Sequence, residues 1–251
     1  MDVPRGTILL NSFEKAGLKP DEEAADRFLR YNDLLIETNR SLNLTAITEF
    51  EDVVVKHFLD SCMILADRKD IFQAESGSEE KGRPIRLADV GTGAGFPGLP
   101  IKIMEPSIRL TLIDSLRKRV EFLEETAETL CLKDVECIHA RAEEAGRDPG
   151  LREQFDVAVS RAVAKLSVLS EYVLPFVREN GLFVAYKSGA VDEELKDAVH
   201  AIEILGGKVE KVSVFTIPGT DYERSLIYIR KVAETPGKYP RKAGKPEKSP
   251  L

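Results

Sequence analysis

At 251 residues and 27.9 kDa, the chain has room for one large domain or for a core domain carrying a helical lobe. Its 43% apolar and 31% charged residues exclude a disordered chain. No run approaches the roughly 20 apolar residues that span a bilayer, and the first ten residues lack a signal-peptide pattern, so neither membrane insertion nor export is expected. Three cysteines (Cys62, Cys131, Cys137) form no C-x-x-C pair, which fits a reducing cytoplasm, and three scattered histidines suggest no zinc site. The formal charge of −7 hides an asymmetry. From Arg230 to Leu251 seven basic residues face two acidic ones, giving that segment +5 and leaving −12 for residues 1–229. A polyanionic partner therefore stays open, because such binding depends on local clusters.

In chain order, the first elements are helical. Between Asp21 and Arg40, Ala25, Phe28, Leu29, Leu35 and Ile36 recur at helical spacing, with Pro20 at the N-terminal turn. A second amphipathic run, Phe50 to Leu65, aligns Val54, Phe58, Cys62 and Leu65, after a polar break at Asn43-Leu44-Thr45. Residues 1–72 are thus expected to form a helical region packed on the core. Residues 73–84 (QAESGSEEKGRP) lack apolar anchors and read as a flexible linker or insertion.

From residue 85 to 231 the pattern alternates. Ile85–Val90, Leu110–Ile113, Val135–Ile138, Phe155–Val159 and Leu182–Tyr186 are short buried-strand runs, most of them separated by helical stretches such as Ser115–Leu130 and Val191–Leu205. Val209–Ile217 and Ser225–Arg230 flank Pro218-Gly219 as a hairpin. The expectation is an α/β fold, a Rossmann-like sheet of seven strands with helices on both faces and an antiparallel hairpin at its end. The Pro- and Lys-rich residues 232–251 read as a mobile basic tail.

Arg86 to Pro100 (RLADVGTGAGFPGLP) is the most informative segment: a strand ends in Asp89-x-Gly91-x-Gly93-x-Gly95 and a helix begins near Pro97 or Gly98. Glycines at such a turn let a ligand lie against the backbone. Dinucleotide sites use G-x-G-x-x-G to bring a pyrophosphate onto the helix. Here the third glycine arrives one residue early and an acid precedes the turn, which suits a ligand with no phosphate and a cationic end, such as S-adenosylmethionine. Asp114 ends the second strand, where an acid can accept from ribose hydroxyls or cap the next helix. The fourth strand runs into Ser160-Arg161, with Lys165 beyond, in place of the acid or amide that would orient an exocyclic amine. That argues for an acceptor from which no proton must be removed. Lys118, Arg119, Arg161, Lys165, Lys187 and Arg224 each lie near a strand end and could converge on one face. His57 and Asp60 share a helical side, as a buried polar pair would.

The chain resembles the bacterial 16S ribosomal RNA guanine-N7 methyltransferases, the glucose-inhibited division protein B family. The resemblance rests on Asn43-Leu44-Thr45, Lys56-His57-Phe58-Leu59-Asp60-Ser61, the Asp89–Pro100 loop, Asp114-Ser115-x-x-Lys118-Arg119, Arg141-Ala142-Glu143, Ser160-Arg161-Ala162-Val163-Ala164 and Tyr239-Pro240-Arg241-Lys242-Ala243-Gly244. It covers nearly the whole chain, with Ser225 standing where a histidine is common. It implies a class I S-adenosylmethionine-dependent methyltransferase fold, S-adenosyl-L-methionine as donor, and one guanine of 16S rRNA, free or in the small subunit or an assembly intermediate, as acceptor. It further implies cofactor contacts at Gly91, Gly93, Phe96, Asp114, Ala142, Glu143 and Arg161, and RNA contacts at His57, Lys118, Lys187 and Arg224. A cytoplasmic monomer without a metal or a catalytic base is expected, since guanine N7 already carries an in-plane lone pair. The rival reading is an NAD-dependent oxidoreductase on a Rossmann-type sheet, which the short glycine spacing and the terminal hairpin disfavour.

Overall fold

A computed structural model of the chain describes residues 3–72, 83–161 and 164–251. Residues 73–82 of the expected linker lie outside the described residues. Of the remainder, Arg83 donates to the buried Asp156 carboxylate through both terminal nitrogens.

The N-terminal region begins with α1 (Arg5–Lys15) and α2 (Glu22–Leu42). Asp21 caps α2, its Oδ1 accepting from the Ala24 N–H at 2.8 Å, and Asn43 ends it in the left-handed region at φ +48°. The expected single helix over 50–65 is interrupted. It runs as α3 (Phe50–Val53), a π-helical stretch (Val54–Leu59) and α4 (Asp60–Arg68). A π turn inserts an extra residue and rotates the helix beyond it, a distortion common at functional sites. Here it carries Lys56 and His57 and is followed at once by Asp60, and all three reach Arg161.

Five strands run parallel: β1 (Arg86–Val90), β2 (Arg109–Asp114), β3 (Val135–His139), β4 (Phe155–Arg161) and β5 (Val177–Ser188). The hairpin β6 (Gly207–Thr216) and β7 (Glu223–Lys231) completes the sheet, in the order β3-β2-β1-β4-β5-β7-β6. Between them lie α5 (Gly98–Met104), α6 (Arg117–Thr129), α7 (Ala142–Ala145), α8 (Leu166–Val173) and α9 (Asp192–Ile204). Strand alternation divides the core. Leu87, Leu110, Leu112, Val184 and Tyr228 face α1, α2 and α4–α6, whereas Ala88, Ile113, Phe183, Ala185 and Ile229 face α8 and α9. Phe13, Phe28 and Phe58 are fully buried in the first layer, so the N-terminal helices supply one face of the core itself. The strand order reverses between β1 and β4, and in such sheets ligands bind beyond the carboxyl ends of the strands at that point.

The tail differs from expectation. Residues 232–251 are docked, ending in the short helix α10 (Lys245–Lys248). Arg241 donates from its backbone N–H and its guanidinium to Glu171, a carboxylate buried in α8. Arg152 donates to the carbonyls of Thr235 and Tyr239, and Tyr239 itself is buried. Lys231 is wholly buried, donating to Glu153 and to the Leu174 and Val177 carbonyls, and Arg230 pairs with Glu210. Much of the apparent positive charge of this segment is therefore spent inside the molecule.

Candidate active site

The switch point opens into a cavity of about 470 Å³. Its floor is the glycine turn. Gly91 (φ +73°) and Gly93 (φ +61°) line it, and a Cβ added at Gly93 would meet nothing within 4 Å, standing in the cavity itself. Gly95 serves packing instead: a Cβ there would collide with Leu99 and with the Tyr31 hydroxyl at 2.6 Å. Tyr31, buried in α2, donates that hydroxyl to the Ala94 carbonyl and so fixes the loop from the N-terminal layer.

Asp89, the acid before the turn, does not line the cavity, which corrects the expectation that it would meet a cationic ligand. Its Oδ2 accepts from Thr92 Oγ1 and from the Gly98 N–H, each at 2.7 Å, and staples the turn to the start of α5. Oδ1 is buried and finds no hydrogen-bond partner among the described residues. Burial pushes the carboxyl up to about 7, against the opposing pull of those two donors and of Arg161.

Three acids do line the cavity: Asp114, Glu143 and Glu247. Asp114 accepts from the Gly93 N–H and the Leu116 N–H, both at 2.9 Å, with Arg119 at 3.6 Å. It ties the glycine turn to the approach to α6, and each oxygen keeps a lone pair for another donor. Glu143 Oε1 accepts from the Gly244 N–H at 2.8 Å, so the tail is tied to the first turn of α7. Gly244 and Glu247 then close the wall beside Tyr172. Burial and the nearby Glu143 and Glu247 carboxylates hold the Tyr172 phenol protonated, well above its ordinary range.

The opposite wall is a cationic and aromatic cluster. His57 stacks on Phe96 (4.5 Å between ring centres, 15° between planes), and the Arg161 guanidinium lies 5.1 Å from the same ring. Arg161 donates to Asp60 Oδ2 at 2.8 Å and to the Lys56 carbonyl at 3.1 Å, and its Nη2 faces His57 Nδ1 at 3.3 Å. A guanidinium only donates, so Nδ1 accepts and Nε2–H donates to Thr45 Oγ1 at 2.8 Å. Asn39 in turn brackets Thr45 through both its backbone groups. Burial, reinforced by Arg161, lowers His57 to about 3, so the imidazole is neutral at ordinary pH. Ser160 is buried and donates to the Val90 carbonyl at 2.7 Å, locking the ends of β4 and β1 together.

Behind this wall lies a second cavity of about 400 Å³ lined by Lys56, Lys187, Arg224, Asp60 and Glu194, and sharing His57 and Arg161 with the first. Lys187 donates to Glu194 at 2.6 Å and to the Ala164 carbonyl at 2.7 Å, and Arg224 Nε lies 3.2 Å from Asp60 Oδ1. Ser225, beside Arg224, is buried and donates to the Gly189 carbonyl. Of the residues expected to touch RNA, the structure brings together His57, Lys187 and Arg224. It does not bring Lys118 with them: that residue is exposed on α6 and lines neither cavity, whereas its neighbour Arg119 lines the first. His57 enters the cluster without charge. All seven residues expected at the cofactor line the first cavity.

Sequence reasoning missed Tyr31, Tyr172, Glu171 and Glu247. Two carried a signal. Glu171 sits in the apolar run of α8, where a carboxylate needs a partner, and Tyr31 falls in the buried stripe of α2, where a phenol needs an acceptor.

A parallel sheet whose last hairpin places an antiparallel β7 between β5 and β6, with a glycine turn at its switch point, defines the class I S-adenosylmethionine-dependent methyltransferase fold. Residues 24–227 match the model of the family described as rRNA small subunit methyltransferase G, and the chain belongs to that family. It is 47% identical over 244 residues to a ribosomal RNA small subunit methyltransferase G of Acetivibrio thermocellus, covering 97% of this chain and 96% of the relative. Proteins of the same description from Lachnoclostridium phytofermentans (47%, covering 98% and 97%) and Alkaliphilus metalliredigens (46%, covering 97% and 98%) are similarly alike. The oxidoreductase reading is thereby set aside. Among the described residues no helix is long and apolar enough to cross a membrane.

Proposed function

We propose that the protein transfers a methyl group from S-adenosyl-L-methionine to N7 of a guanine in the 16S rRNA of the small ribosomal subunit. The observation that carries this reading is a shared wall: Phe96, His57 and Arg161 bound the first cavity, and the last two also face a second cavity rich in cations. Donor and acceptor can thus lie on either side of one cluster.

The residues fit the cofactor. S-adenosylmethionine, when bound, supplies a methyl group on a sulfonium. Gly91 lines the floor, Gly93 leaves open space above its backbone, Asp114 keeps acceptor capacity for ribose hydroxyls, and Ala142 and Glu143 line the wall toward the tail. Phe96 presents its ring from the opposite wall, where His57, Tyr31 and Arg161 hold it.

No side chain has to remove a proton, because guanine N7 bears none. His57 agrees with that requirement: it is neutral, and both ring nitrogens are engaged. The chain then contributes orientation and exclusion of water. Lys187, Arg224 and Lys56 supply the positive surface toward RNA phosphates, and the exposed Lys242, Lys245 and Lys248 of the docked tail add cations on the tail side of the first cavity. Delivery of a base into a cavity beside a buried wall favours a single-stranded or splayed nucleotide.

The test is labelled methyl transfer from S-adenosylmethionine to a 16S transcript and, in parallel, to isolated small subunits, with strand scission specific for N7-methylguanine as the readout. Label at one guanine N7 supports the reading. Label on an exocyclic amine or on ribose, or none on either substrate, overturns it. A melting-temperature rise with S-adenosylhomocysteine but not with NADH is expected alongside.

A further inference from the structure

Asp60 lines the second cavity behind the wall that His57 and Arg161 share with the first, is 3% exposed, and its two oxygens serve different partners. Oδ2 accepts from Arg161 at 2.8 Å, the arginine that ends β4 and lies over Phe96. Oδ1 accepts from Arg224 at 3.2 Å, the arginine that β7 brings to the second cavity. Among the described residues no other side chain accepts from both guanidiniums, which come from strands separated by β5 in the sheet. With His57 neutral, the cluster of two arginines and one carboxylate carries a single positive charge.

Resting on the methyltransferase reading above, we infer that Asp60 is a positioning residue that fixes Arg161 on the cofactor side and Arg224 on the acceptor side relative to one another, and so sets the alignment of donor and acceptor. Its carboxylate borders the second cavity with both oxygens engaged by the two guanidiniums. It acts through the arginines, whose five-donor forks need an anionic acceptor to hold one orientation. The π-helical turn that rotates α4 places it there.

This role has a signature that neither a fold-supporting nor an RNA-binding role shares. Asp60→Asn removes a negative charge beside the acceptor cavity, so attraction for a polyanion should hold or grow while alignment is lost. The expected result is a kcat lower by about 100-fold, with RNA affinity within about twofold of the unaltered protein or tighter. Arg224→Lys tests the same link without touching the buried carboxylate: it keeps the charge but withdraws the Nε donor. It should also lower kcat, while leaving the RNA affinity and its salt slope in place. Adding Arg224→Lys to Asp60→Asn should then cost far less than Arg224→Lys alone. Both kcat values within about twofold of the unaltered protein would overturn the inference. So would a loss of RNA affinity large enough to account for the whole fall in activity. If Asp60→Asn does not fold, the Arg224→Lys result decides. The unaltered protein is assayed first: if it transfers no methyl group, the reading of function fails, whereas normal transfer with silent variants sinks the role of Asp60 alone.

Discussion

The two cavities share a wall and differ in almost everything else. The first is lined by three acids and three arginines and has a floor of glycine backbone. The second is lined by four cations against two carboxylates and is built from side chains. A site that receives a small zwitterionic ligand can be shaped by backbone, because glycine turns, strand ends and their hydrogen bonds fix it without long side chains. A site for a polyanion needs a surplus of positive charge, and each cation must be held by an anion or a carbonyl to keep its place. Lys187 is held by Glu194 and a carbonyl, and Arg224 by Asp60. A chain with net charge −7 can therefore serve a nucleic acid through a surplus of only two charges at one place.

The sharpest way to break the comparison is to fill the backbone-built cavity. Gly93→Val puts a side chain where the glycine leaves open space and strains a residue at φ +61°. Calorimetry with S-adenosylhomocysteine should show no measurable binding, while circular dichroism shows a folded sheet and RNA affinity stays in place. Cofactor binding in the variant close to that of the unaltered protein would mean that the first cavity is not the cofactor site.

Next in size is the tail. Arg241→Ala leaves Glu171 buried without its charged partner, which should cost about 3–5 kcal/mol of stability. It should also weaken cofactor binding, because Gly244 and Glu247 lose their anchor on the first cavity. Replacing the exposed Lys242 or Lys245 by Ala should do neither, and should act on RNA binding alone. Melting curves and cofactor titrations on the three variants separate the outcomes. Equal cofactor affinity in all of them would return the tail to the role of a basic appendage.

That role is what the sequence suggests, and the reason it misleads is physical. Pro- and Lys-rich composition reports what a segment is made of, while docking depends on partners far away in sequence. The partner of Arg241 is an acid 70 residues earlier in an apolar helix, and the buried ammonium of Lys231 is satisfied by two carbonyls and Glu153. The strands were legible for the opposite reason. The five parallel strands read as short apolar runs whatever their neighbours, and the Pro218-Gly219 turn marks the antiparallel pair, so all seven are legible, the chief error being a β5 that starts at Val177 rather than Leu182. The glycine turn was legible as well, yet the burden of its acid was not: Asp89 fastens the loop, a role fixed by the third dimension. Lys118 and Arg119 adjoin in sequence, and only the phase of α6 decides which of them lines the cavity.

A smaller effect is expected at the second cavity. Lys187→Ala removes one cation and should lower the salt slope of RNA binding by about one unit per lost phosphate contact, with cofactor affinity unchanged. Filter-binding titrations across a salt series measure it. An unaltered slope would show that Lys187 is spent on Glu194 and does not meet phosphate.

The smallest effect concerns pH, and two buried groups near Arg161, one in the shared wall and one beneath the glycine turn, pull in opposite directions. Burial lowers His57 to about 3, so the folded protein holds that ring neutral where the unfolded chain would protonate it. Its contribution to stability is present above the unfolded value near 6.5 and is lost as pH falls toward 3. Burial raises Asp89 to about 7. Its folded form binds a proton that the unfolded chain releases near pH 4, so its contribution is full below that value and is lost as pH rises through 7. Asp89→Asn keeps an oxygen to accept from Thr92 and Gly98 and cannot ionise. The variant should lose the decline in stability between about pH 4 and 7, and so should gain in relative stability toward neutral pH. Denaturant titrations at pH 5, 6 and 7 read this directly. Cofactor affinity should change little, since the carboxylate faces the loop and not the cavity. A variant that instead lost cofactor binding while its stability kept the original pH dependence would return Asp89 to the ligand side of the glycine turn.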